Sequence, residues 1–110
     1  MKAETTPETK PIIRLYFAKI KDAFYDLSDE EKAAFMQKDR RQMDECGMKL
    51  IMTVDCRWSN EEWDYIGLEE WPTLESLETR AIFEKEELAT FRYVESRTYL
   101  GTRVMGEYGK

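Results

Sequence analysis

Asp55 is the side chain in this sequence best placed to move a proton, because arginines and tyrosines recur around it at strand spacing. Arg14 and Tyr16, Asp55 and Arg57, and Arg97 and Tyr99 each stand two residues apart, which in an extended chain puts both members of a pair on one face. A carboxylate beside an arginine and a tyrosine such as Tyr65 can act as general base on an acidic phenol or carbon acid, with Arg14 or Arg97 holding the resulting anion. Trp63 would add an aromatic wall. The same residues, with Glu95, would equally form satisfied ion pairs between strands or subunits, and the sequence leaves both readings open.

Composition narrows the chemistry. The chain has 110 residues without a single histidine, and carries 17 basic against 23 acidic side chains for a net charge of -6. Lacking imidazole, it has no serine-histidine or cysteine-histidine nucleophile system and no histidine ligand for haem or zinc. Its negative charge repels a phosphate backbone, so nucleic acid is not an expected partner. Gly-rich phosphate loops, Cys-x-x-Cys and Gly-x-Ser-x-Gly do not occur, and no cofactor is called for. The sequence also offers no membrane-spanning run and no apolar leader, which together with two thiols lacking metal-ligand spacing, Cys46 and Cys56, points to a cytoplasmic protein with reduced cysteines.

The positioning elements follow from hydrophobic period. Residues 48–57 and 63–69 alternate at a period of two and read as a hairpin, with a turn most simply at Ser59-Asn60-Glu61. Residues 12–20 and 92–104 alternate likewise. Between the first strand and the hairpin, Ser28-Asp29-Glu30-Glu31 forms a capping box that opens a helix running through Ala33, Met36, Met43 and Cys46 to a stop at Gly47, acids early and bases later. Residues 21–27 are expected as a loop whose Phe24, Tyr25 and Leu27 fold over an opening. Trp71-Pro72-Thr73 starts a second helix carrying Leu74, Leu77, Ala81 and Leu88, and the acidic run Glu84 to Glu87 reads as its solvated face.

Strand, helix, strand, strand, helix, strand is the split β-α-β order of an α+β, ferredoxin-like domain, with the first and third strands central and both helices on one face of a four-stranded antiparallel sheet. The expected extents are a loose arm over 1–10, one domain over 11–104 and a short tail over 105–110. If Ile13, Leu15, Phe17, Leu50, Met52, Val54, Ile66, Leu68, Val94 and Leu100 face the helices, then the bare face holds Arg14, Tyr16, Asp55, Arg57, Trp63, Tyr65, Glu69, Tyr93, Glu95, Arg97 and Tyr99. Such a mixture of rings and charges fits a pocket or a partner surface. Gly67 would leave room for a ligand on that side.

In element order and length over residues 11–104, and in the passage Glu69-Glu70-Trp71-Pro72-Thr73-Leu74, the chain resembles the dimeric α+β barrel superfamily, which includes cofactor-independent antibiotic-biosynthesis-type monooxygenases and ethyl-tert-butyl-ether-degradation-like domains. The resemblance implies a homodimer of sheets packed face to face, with a pocket in each subunit. Trp58, Trp63 and Trp71 with Asn60 are similar to the tryptophan and asparagine that some of those monooxygenases use, although tryptophans also anchor dimer interfaces. The expectation is a homodimer binding an anionic or aromatic small organic ligand through Arg14, Tyr16, Trp63, Arg97 and Tyr99. The alternatives are a cofactor-independent monooxygenase or isomerase using Asp55 and Tyr65, and a protein–protein interaction module without a ligand.

Overall fold

The computed structural model describes residues 10–104, so the proposed arm over 1–10 and the tail over 105–110 lie almost wholly outside the described residues. The order is β1 (Ile12–Ile20), α1 (Asp22–Tyr25), α2 (Asp29–Glu45), β2 (Lys49–Asp55), β3 (Tyr65–Trp71), α3 (Leu74–Glu86), a 3-10 turn (Thr90–Arg92) and β4 (Val94–Gly101). The sheet runs β2-β3-β1-β4 with every pairing antiparallel, the α+β, ferredoxin-like arrangement expected from element order.

Both long helices start where the sequence writes a cap. Ser28 Oγ accepts the Glu31 amide at 3.1 Å and Glu31 accepts the Ser28 amide at 2.9 Å. Thr73 and Ser76 repeat the device at α3, at 3.0 and 3.3 Å. α2 gives way at Gly47, whose φ of 78° is open to glycine and where a Cβ would come within 3.2 Å of Pro72. Its last turn carries no basic residue, contrary to the expected charge gradient, and its Met36 is exposed. Residues 22–25 are helical instead of looped, and Phe24 meets Phe35 and Tyr93 edge-on at 5.9 and 6.4 Å, an aromatic clasp rather than a flap.

The helix side of the sheet is centred on Ile12, Trp71 and Leu77, with Met43, Cys46, Met48 and Leu74 packed around them. Trp71 has no exposed surface. On both faces of the sheet, register decides which side chains emerge together. Ile12 pairs with Trp71, Arg14 with Glu69, Tyr16 with Gly67 and Ala18 with Tyr65, all on the helix side. Ile13, Leu15 and Phe17 share the bare face with Leu68 and Ile66, and with Tyr99 and Arg97 of β4. A bulge between Leu50 and Met52 shifts β2 by one residue, so Leu50 stays on the helix side while Met52 and Val54 join Leu68 and Ile66 on the bare face.

The expected division of faces is therefore corrected. Ile13, Leu15, Phe17, Met52, Val54, Ile66 and Leu68 point away from the helices, whereas Arg14, Tyr16, Asp55, Tyr65 and Glu69 lie on the helix side. Glu95, Arg97 and Tyr99 are on the bare face as expected. The assumption that failed was that the most apolar face must lie under the helices. Here the helices supply Arg80, Glu84, Asp39 and Gln42 as partners, so charged strand residues are satisfied beneath them.

Candidate functional site

On the helix side an ion-pair network crosses from sheet to helix. Arg14, 4% exposed, places Nε 3.0 Å from Glu69 Oε1 and donates from Nη2 to Glu84 Oε2 at 3.2 Å. Glu69 Oε1 also accepts the Trp71 indole N–H at 2.9 Å. Arg80, one helical turn before Glu84, brings Nε within 3.2 Å of the same Glu84 oxygen and donates to Gln42 and Asp39 of α2. The Nε groups of both arginines meet their carboxylates without hydrogen-bond alignment, so these two contacts are ion pairs alone. The Arg14 guanidinium lies over the Tyr16 ring at 4.5 Å and the Trp71 ring at 5.6 Å. Glu84, expected on a solvated face, is instead a half-buried bridge, and the i,i+4 spacing of Arg80 and Glu84 is the sequence signal for it.

Beside this network a cleft of 560 Å³ opens between β1, β4, α3 and the 3-10 turn. Tyr16, Val94, Glu95 and Ser96 form its sheet wall, Glu84 and Lys85 its helix wall, and Thr90 and Phe91 its rim. The rim exists because α3 ends at Glu86, the buried Leu88 anchors the chain just beyond it, and Ala89 takes a left-handed conformation, φ 50°, that swings the chain into the turn. Lys21 fastens it to β1, its amide donating to the Tyr93 carbonyl at 2.8 Å and its ammonium to the Phe91 carbonyl at 2.7 Å. Burial first, then the Glu84 charge, raises the Tyr16 pKa above 10.0, against the opposing pull of Ser96 and the two arginines. Tyr16 thus stays a neutral phenol at physiological pH. The Thr90 hydroxyl is buried without a hydrogen-bond partner. Glu84 shares its two arginines with Glu69 and Asp39, and the cleft offers hydroxyl groups inside, Glu95 in its wall and lysines at its edge, a setting for a small organic molecule carrying acceptor oxygens.

The residues singled out from the sequence separate into three groups. Arg14 and Tyr16 belong to the helix-side network and cleft. Asp55 and Tyr65 are cross-strand partners at the hairpin end of the helix side, as their shared face requires of an odd-numbered loop, which is longer than expected and spans residues 56–64. Asp55 binds Arg57 through both carboxylate oxygens at 3.0 and 2.8 Å, and Arg57 lies over Tyr65 at 5.1 Å. The Arg57 hydrogen bonds hold the exposed Asp55 carboxyl down to about 2, which leaves it little proton affinity as a base at neutral pH. Trp63, Arg97 and Tyr99 gather on the bare face around Phe17, with Trp63 and Tyr99 edge-on to its ring at 5.8 and 5.7 Å and Arg97 over Trp63 at 5.5 Å. Among the described residues, the cleft beside Tyr16 reaches neither of the other two groups. Gly67 lies on the helix side opposite Tyr16, and a Cβ there would make only ordinary contacts.

The bare face is predominantly apolar. Met52, Val54 and Tyr99 are 53%, 43% and 54% exposed, and Ile13, Leu15, Phe17, Ile66 and Leu68 are partly exposed between them. At the end away from the hairpin, Ile13, Leu15, Ile51, Leu68, Tyr99 and Arg103 line a hollow of 290 Å³. Among the described residues no helix is long and apolar enough to cross a membrane.

No protein-family model matches the sequence, and comparison with curated proteins finds no significant match. Solved structures do resemble it. A protein of unknown function from Rhodopseudomonas palustris superposes with a TM-score of 0.63 at 16% identity, over 96% of this chain and 89% of its own. The methylated form of that protein gives 0.66 at 18%, over 99% and 89%. A candidate chlorite dismutase gives 0.66 at 16%, over 91% of this chain but 47% of its own length. At these identities the likeness is one of fold alone, the α+β, ferredoxin-like arrangement described above.

Proposed function

We propose that the chain works as a homodimer, closed through its helix-free sheet face, in which each subunit binds a small organic ligand in the cleft between β1, β4 and α3. The observation that carries this reading is that the apolar face and the polar cleft lie on opposite sides of one sheet. Covering the first leaves the second open. Four strands spaced about 4.8 Å apart and some 25 Å long give a face of roughly 500 Å² in projection, and side-chain relief brings its accessible area towards the ~800 Å² per partner of a standard interface. An apolar patch of that extent stands at the upper end of what a monomer exposes, where such patches are often functional. Face-to-face pairing of sheets is also the arrangement that the dimeric α+β barrel likeness implies. The free thiols Cys46 and Cys56 suit a reducing, cytoplasmic setting.

The ligand read from the cleft is anionic or neutral with acceptor oxygens, held by Tyr16, Thr90 and Ser96 with Lys21 or Lys85 at the edge. Two measurements test the proposal together. Equilibrium sedimentation is expected to show a dimer at micromolar concentration, and denaturation of the purified dimer followed by mass spectrometry of the extract is expected to release a compound that Tyr16→Phe protein retains in smaller amount. A monomer at that concentration removes the dimer. A dimer without retained compound, whose thermal midpoint no small carboxylate raises, leaves an interaction module as the better reading.

A further inference from the structure

Trp58 is 86% exposed, more than any other large apolar side chain among the described residues. It stands on a loop that is tied internally: the Cys56 carbonyl accepts the amides of Ser59 and Asn60 at 3.1 and 2.9 Å, and Asn60 Oδ1 accepts those of Glu62 and Trp63 at 2.6 and 3.0 Å. An indole displayed from such a loop loses little further freedom on binding. The loop closes one end of the bare face, where Trp63 folds onto Phe17. The hollow of 290 Å³ lies at the other end of the same face. A cavity of about 150 Å³ takes up benzene, so this one has room for an indole.

Charge is divided along the same line. Glu61 and Glu62 are exposed on the loop beside Trp58, where Arg57 is paired with Asp55, Lys19 donates to the Glu61 carbonyl and Arg97 lies over Trp63, so the two glutamate carboxylates form the acidic tip of that end. The hollow's end carries Arg103, 63% exposed and reaching Glu70 at 3.2 Å, and the exposed Lys49, which register places on the same face opposite Glu70. The direction of the two-fold axis between two sheets packed face to face decides which of their ends meet. An axis along the strands stacks loop on loop, sets four glutamates together and leaves both indoles and both hollows in water. An axis across the strands lays each acidic loop over the partner's basic, hollow end.

We propose the second arrangement: in the homodimer inferred above, on which this rests, Trp58 of each subunit enters the hollow bounded by Leu15, Leu68 and Arg103 of its partner. The test is the dimer dissociation constant by sedimentation across a concentration series. Trp58→Ala removes an exposed side chain and leaves the subunit folded, and it is expected to weaken the dimer by roughly 10²–10³-fold, two anchors being lost at once. Arg103→Glu is expected to weaken it about tenfold or more, and Glu61→Lys with Glu62→Lys in the same chain is expected to recover most of that loss. A dimer constant unchanged within threefold in Trp58→Ala, or charge reversals whose effects merely add, overturns the arrangement while leaving the dimer itself intact. A monomeric wild-type chain overturns both.

Discussion

The Arg14 guanidinium meets the Glu84 carboxylate at 3.2 Å, joining a strand residue 4% exposed to a helix residue seventy positions away. This contact, shared with Arg80 on the same carboxylate oxygen, fixes α3 over β1 and sets the inner wall of the cleft. Removing the cation would strand Glu69 and Glu84 in a partly buried site without their common partner. Arg14→Met is therefore expected to cost about 3–5 kcal/mol of stability. Glu84→Gln is expected to cost less, since Arg14 keeps Glu69 and Arg80 keeps Asp39. Urea midpoints at one fixed protein concentration check both.

Tyr16 gives an alkaline signature. Its pKa lies above 10.0 in the folded chain because burial disfavours the phenolate, so between pH 10.0 and the raised value the native state holds a proton that the unfolded chain has released. The stability linked to this group is complete below pH 10.0 and falls as pH rises through the folded pKa. In a phenolate absorbance titration of native protein, the latest-titrating tyrosine is expected to vanish in Tyr16→Phe.

Asp55 gives the opposite signature in acid. Its hydrogen bonds from the Arg57 side chain and backbone amide lower the pKa from 3.8 to about 2, so its contribution is complete above 3.8 and is lost as pH falls through about 2. Carboxyl-carbon NMR is expected to show one aspartate titrating near 2 in wild type and near 3.8 in Arg57→Leu. Ligand retention by the dimer is expected to be unaffected in Asp55→Asn, since the side chain is far from the cleft's lining.

Ala89 sits at φ 50°, ψ 46°, a conformation that an L side chain opposes and glycine does not. Ala89→Gly is expected to stabilise the fold by about 0.5–1 kcal/mol, the relief of the Cβ clash being partly offset by the freer unfolded chain. Thermal unfolding measures it. A rise in midpoint is expected together with unchanged ligand retention, because the backbone that forms the cleft's rim is preserved.

Much of the fold was written locally. Capping boxes at Ser28 and Thr73, the glycine stop at position 47 and the alternating runs of β1 and the hairpin are determined by neighbours within a few residues, and each element formed where those signals lie. A shared face for Asp55 and Tyr65 requires an odd-numbered hairpin loop, and the loop over 56–64 is one. Which face of the sheet goes under the helices did not, because hydropathy ranks faces by apolarity and is blind to a second covering surface. Arg14 could lie beneath α3 only once Arg80 and Glu84 were there to receive it, a contact between residues far apart in sequence. The β2 bulge, which turns Met52 and Val54 towards Leu68 and Ile66, likewise exists only when two strands are in register. The sequence by itself determined the elements and their order. Tertiary structure alone decided that the charges are satisfied inside and the apolar strand residues left bare, since burying an ion pair requires both partners in place and an apolar face requires only something to cover it.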